Sequence, residues 1–137
     1  MKILIINGAN LNLLGTREPE IYGNISMEQT IEKLQKDFPN HEFGYFQSNF
    51  EGEIIGRIQL EDYDALVINP GAFTHYSYAI ADALKNLKKP KIEVHISNIY
   101  KREEFRQKSV TAAYTDAVLS GFGINGYKLA VNSILSL

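Results

Sequence analysis

The feature that most constrains this chain is its opening run, Lys2-Ile-Leu-Ile-Ile-Asn7. It is continuously apolar and rich in branched residues, with no alternation of apolar and polar positions. That pattern suits a strand buried on both faces, as in a parallel sheet sandwiched between helices. Parallel neighbours cannot be joined by a tight turn, so each return needs a crossover, usually a helix. The rest of the chain is expected to alternate strands with helical segments.

Its pattern does so. Ser26-Met27-Glu28-Gln29 fits a capping box, with Met27, Ile31, Leu34 and Phe38 at helical spacing and Pro39-Asn40 as a stop. Residues 41–48 read as a second strand. Residues 52–60 read as a short helix with Ile54, Ile55 and Ile58 inward. Ala65–Asn69 is a third strand, 77–87 a helix ended by Lys88-Lys89-Pro90, and 91–96 a fourth strand. A short helix over 102–109, a fifth strand over Ala117–Ser120 and a closing helix over 124–137 complete the series. The closing helix points Ile124, Ala130, Val131, Ile134 and Leu135 inward. Five strands alternating with helices predict an α/β, doubly wound, three-layer sandwich whose five-stranded parallel sheet has the flavodoxin-like order 2-1-3-4-5. A length of 137 residues suits a single domain over 1–137.

Bulk properties exclude several functions. A net charge of -2 argues against nucleic acid or an anionic membrane as partner. The absence of cysteine excludes disulfides, thiol catalysis and thiolate metal sites. No apolar run approaches the length of a membrane span or a signal peptide's core, so a cytoplasmic location is expected.

Sheets of this kind bind ligands beyond the carboxyl ends of their strands, where strand order reverses. With strands one, three and four adjacent, those ends carry Asn7-Gly8-Ala9-Asn10, Asn69-Pro70-Gly71 and His95-Ile96-Ser97. The connection over 7–23, reading NGANLNLLGTREPEIYG, is long for a compact domain and suits a lid over about residues 8–25. It carries Arg17 and Tyr22. Ionising a tyrosine at pH 7 costs about 4 kcal/mol. A guanidinium about 4 Å away at an effective dielectric of about 20 returns roughly as much. A closed, water-poor lid could thus make tyrosinate available as a base.

Glu93 and His95 are two apart on a strand and face one side, and a carboxylate beside a histidine fixes its tautomer and raises its proton affinity. They could also ligate a metal with His75, but two histidines near the site are few, and no metal is expected. Arg102 and Arg106 would share one face of a helix, either as a solvated charged face or to bind an anionic or hydroxyl-rich substrate. Asp82 reads as a surface residue or a helix contact. Gly121-Phe122-Gly123-Ile124-Asn125-Gly126 matches G-x-G-x-x-G, but no acidic residue or further strand follows it. Glycines for a tight turn and close helix packing are the better account.

The run NGANLNLLGTREPEIYG, the segments NPGAFTHYS, EVHISN with REEFR after it, and SGFGINGY together resemble the type II 3-dehydroquinate dehydratase family over almost the whole chain. The resemblance implies the shikimate-pathway conversion of 3-dehydroquinate to 3-dehydroshikimate by anti elimination through an enolate, with no metal, cofactor or Schiff base. It implies Tyr22 as base, Arg17 lowering its pKa, Asn10 holding a water at the enolate oxygen, and His95 as acid, oriented by Glu93. Asn69, His75 and Arg106 would bind substrate hydroxyls. The amides of Ile96 and Ser97, with the Ser97 hydroxyl, would hold the carboxylate. Asp82 would reach a neighbouring subunit's site in a homododecamer built of trimers. The family usually carries a histidine in the segment where this chain has Phe50, a position implied at a subunit contact. A flavin-binding or phosphoryl-receiving module of the same fold is the competing class. Asn7-Gly8-Ala9-Asn10 supplies neither the clustered acids of a receiver nor the hydroxyl-rich phosphate loop of a flavodoxin.

Overall fold

A computed structural model describes residues 1–15 and 26–137. Arg17 and Tyr22, with most of the expected lid, lie outside the described residues. Among the described residues there are five strands and four α-helices, alternating except between the last two strands, which only 3-10 turns connect. They are β1 (Lys2–Asn7), α1 (Met27–Asp37), β2 (Glu42–Gln47), α2 (Glu51–Gln59), β3 (Ala65–Asn69), α3 (Tyr78–Asn86), β4 (Lys91–His95), β5 (Ala117–Ser120) and α4 (Asn125–Leu135). All pairings are parallel, and the order is β2-β1-β3-β4-β5.

The branched run of β1 is buried on both faces, as its composition predicts. Ile3 and Ile5 pack on one side with Met27 and Leu34 of α1 and Tyr127, Val131 and Ile134 of α4. Leu4 and Ile6 pack on the other with Ile54 and Ile58 of α2 and Ile80 and Leu84 of α3. The two helical layers are thus set by the two-residue alternation of one strand. The α1 capping box forms: the Ser26 hydroxyl accepts from the Gln29 amide at 3.2 Å, and Gln29 accepts from the Ser26 amide at 3.0 Å. Among the described residues, no helix is long and apolar enough to cross a membrane.

Two features shape the carboxyl-end crevice. Gly8 lies so close to β3 that a Cβ there would meet the Pro70 carbonyl oxygen at 2.0 Å, so only glycine lets the β1 and β3 exits touch. In the GFGING segment, Gly121 has φ 95° and a Cβ on Gly126 would lie 3.1 Å from Val94. These glycines make a turn and seat α4 against β4, as expected.

The helix expected over 102–109 does not form. The segment holds a 3-10 turn at Glu104–Arg106, preceded by another at Ile99–Lys101. Arg102 and Glu103 between them are extended. Beyond the turn, Ser109 and Thr111 are drawn to a buried carboxylate on β4. Tertiary hydrogen bonds outbid a short, weak helical pattern there.

Candidate active site

Three parallel strands ending side by side where strand order reverses leave a crevice, and the described residues line one there. From the β1 exit come Asn10 and the apolar side chains of Leu11, Leu13 and Leu14. The β3 exit gives Asn69, Gly71 and His75. The β4 exit gives His95, Ile96 and Ser97, and the irregular segment after it gives Arg102 and Arg106. The expected convergence at strands one, three and four is observed. Asn10 adopts a left-handed conformation, and its amide donates to the Asn49 side chain at 2.9 Å.

Glu93 is fully buried on β4, and His95 is 5% exposed. His95 Nε2 donates to Glu93 Oε2 at 2.7 Å, which leaves Nδ1 as the other ring nitrogen. Ser109 donates to the same carboxylate oxygen at 2.8 Å, and Thr111 donates to Oε1. Burial pushes the Glu93 carboxyl up. The hydrogen bond and charge of His95, with the two hydroxyls, more than offset this and hold it below the usual carboxylate range. Thr74, buried on the turn Gly71–His75, lies 2.7 Å from both Ser109 Oγ and Thr111 Oγ1. Sequence reasoning misses this hydroxyl cluster, because Ser109 and Thr111 are 16 and 18 residues from Glu93 and carry no local pattern.

A second network lies under the β1 and β3 exits. The fully buried Tyr127 of α4 donates to Asn7 Oδ1 at 2.7 Å and accepts from Asn69 Nδ2 at 3.1 Å. The Gly71 amide donates to Asn69 Oδ1 at 3.1 Å, so the Asn69 amide has one permitted orientation. Burial pushes the Tyr127 phenol far up, keeping it a proton donor.

His75 Nδ1 donates to the Lys108 carbonyl at 2.6 Å. Burial and the nearby charges of His95 and Arg106 lower its pKa, against the Lys108 carbonyl and Glu93. Arg106 bonds Glu103 at 2.6 Å, and Arg102 approaches the Ser97 hydroxyl at 3.4 Å. Both arginines reach the cleft, though not from one helix face as expected. Asp82 is exposed on α3 and does not line this cleft, and Phe50 is 68% exposed. Among the described residues, no three His, Asp or Glu side chains are grouped closely enough to hold a metal ion.

The fold and cleft therefore define an α/β protein with a buried histidine–carboxylate pair in a polar cleft at the carboxyl ends of its strands, and comparison with known proteins narrows the class. Residues 1–135 match the family model for dehydroquinase class II. The chain is 56% identical over 137 residues to a Thermotoga petrophila protein named 3-dehydroquinate dehydratase, covering 98% of this chain and 94% of that one. It is 54% identical over 138 residues to a Clostridium botulinum protein of the same name, with the same coverage. The crystal structure of type II dehydroquinase from Butyrivibrio crossotus superposes with a TM-score of 0.93 at 48% identity, covering 98% of this chain and 97% of that one. That from Propionibacterium acnes gives 0.94 at 41%, covering 99% and 97%. This chain belongs to the class II dehydroquinase family, and by that membership it is an enzyme, a hydro-lyase.

Proposed function

We propose that this chain dehydrates 3-dehydroquinate to 3-dehydroshikimate by anti elimination through an enolate, as a step of the shikimate pathway in the cytoplasm. Tyr22, as tyrosinate beside Arg17 on a lid over about 8–25, takes the proton alpha to the ketone. The C–H electron pair passes into the enolate, whose oxygen is held by a water on Asn10. As the enolate collapses, the C–O bond to the departing hydroxyl breaks, and His95 supplies the proton that makes the leaving group water. The route uses no metal, cofactor or Schiff base.

The observation that carries this reading is the buried 2.7 Å bond between His95 Nε2 and Glu93 at the cleft. With Nε2–H committed to Glu93, the proton His95 delivers is the one on Nδ1 of its imidazolium, whose charge Glu93 balances until transfer leaves the neutral ring. Asn69, His75 and Arg106, all lining the cleft, bind the substrate hydroxyls. The Ile96 and Ser97 amides, with the Ser97 hydroxyl, take the carboxylate. Asp82, exposed on α3, reaches the site of a neighbouring subunit in a homododecamer built of trimers. Residues 1–137 act as one domain.

The test is ultraviolet absorbance of purified protein mixed with 3-dehydroquinate, with no metal or cofactor added and Tyr22→Phe as control. The conjugated enone carboxylate of the product absorbs where the substrate does not. A rise with wild type and none with the variant is expected. Substantial turnover by folded Tyr22→Phe would sink the tyrosinate base. No rise from folded, assembled wild type would sink the reaction itself.

A further inference from the structure

Glu93 is held by more than its histidine. Its Oε1 accepts from Thr111, and its Oε2 accepts from Ser109 as well as from His95. Each hydroxyl has one proton to give. Ser109 and Thr111 direct theirs at the carboxylate, so both present lone pairs to Thr74, which lies 2.7 Å from each. The Ala112 amide also donates to Ser109, at 3.0 Å. The polarity of the whole cluster therefore runs inward to one negative charge. Thr74, Glu93 and Thr111 are fully buried, so no water need be displaced or reoriented when charge moves on His95. The titratable groups facing Glu93 are His95 on its own strand and His75 from the Gly71–His75 turn. Its strand partners Ile68 and Val118 are apolar.

We propose that Thr111, Ser109 and Thr74 are positioning residues for the Glu93–His95 pair, keeping the carboxylate ionised and aimed at Nε2 so that the transferable proton of the imidazolium is the one on Nδ1. The inference rests on the reading of His95 as the acid and adds the group that sets its proton inventory. A competing role is purely mechanical. The same segment carries Arg106, and it is stitched to the Gly71–His75 turn by the Val110 amide on the Thr74 carbonyl at 2.7 Å.

The two roles separate experimentally. Thr111→Val and Ser109→Ala remove one donor each, and Thr111→Ser restores the hydroxyl. The Glu93 carboxyl and the His95 ring are titrated by carbon and nitrogen NMR in the folded, assembled, ligand-free enzyme, alongside the pH profiles of kcat and KM. Loss of one charge-assisted hydrogen bond should raise the Glu93 midpoint by about one pH unit. The acid limb of kcat should move with it, and Thr111→Ser should return both. An unmoved Glu93 midpoint with a raised KM overturns the proposal in favour of a mechanical brace for Arg106. If Thr111→Val fails to fold, Ser109→Ala, at a half-buried position, decides by the same readout. The NMR titration does not depend on turnover. A wild type that leaves 3-dehydroquinate unchanged would therefore defeat the proposed reaction while this question is still answered.

Discussion

Two buried polar networks lie on opposite faces of one sheet, and they solve different problems. Asn7 and Asn69 follow Ile5 and Val67 by two residues and so share the α1/α4 face, where Tyr127 joins them. Glu93 and His95 alternate with Ile92 and Val94 and so face the other way, toward the turn at Thr74 and the segment 109–111. The first network is neutral. Its phenol stays protonated, and every donor has one acceptor, so it fixes the direction of the Asn69 amide with little desolvation cost. The second buries a charge, which is costly unless paired and hydrogen-bonded, and three donors converge on it. Orientation can be supplied by amides and a phenol. A buried charge needs several donors.

The largest test of that contrast is Glu93→Gln. Its amide nitrogen must face a donor, either Thr111 on one side or Ser109 and His95 on the other. Removing a buried charge on which three donors converge should cost about 3–5 kcal/mol, to be read by urea unfolding at pH 7, and turnover should fall at least about 100-fold. A variant as stable as wild type would erase the distinction. Tyr127→Phe should cost less, about 1–3 kcal/mol, by stranding Asn7 Oδ1 and Asn69 Nδ2. Because Asn69 lines the cleft, KM should rise more than kcat falls.

Acid sharpens the comparison further. Glu93 has a folded-state pKa below its ordinary 4.5, so its contribution to stability is complete above pH 4.5 and is lost as pH falls through the folded value. Across that window, the stability gap between wild type and Glu93→Gln should shrink, while the gap to Tyr127→Phe stays flat. Parallel slopes for both variants would mean that the charged network contributes nothing through its ionisation. The smallest effect is expected from Asp82→Asn, which belongs to neither network. Its exposed position predicts a stability change within about 0.5 kcal/mol. A loss of turnover without a loss of stability is then the signature of a role across a subunit contact.

Much of the fold is legible in the chain. The continuous branched run of β1 marks a strand buried on both faces, and Ser26 with Gln29 marks the start of α1 by a local hydrogen-bond exchange that needs no tertiary partner. Glu93 and His95 can be paired on paper because the two-residue period of a strand puts them on one side. The helix expected over 102–109 fails for the opposite reason. Its last residue, Ser109, answers to Glu93 and Thr74, many positions away. Tyr127 is likewise absent from the inward positions expected of the closing helix, because its place is set by two asparagines on other strands.

What the sequence determined by itself is whatever depends on near neighbours: the alternation of strands and helices, the parallel sheet, the α1 cap, the glycine turns and the Glu93–His95 pair. Only the tertiary structure decided which hydroxyls crowd the Glu93 carboxylate, which way the Asn69 amide points, and that both arginines reach the cleft from irregular backbone. Periodicity records which side of an element is wet or dry. The partners of a buried polar group are chosen by the meeting of distant segments, and nothing in the spacing of residues along the chain encodes that meeting.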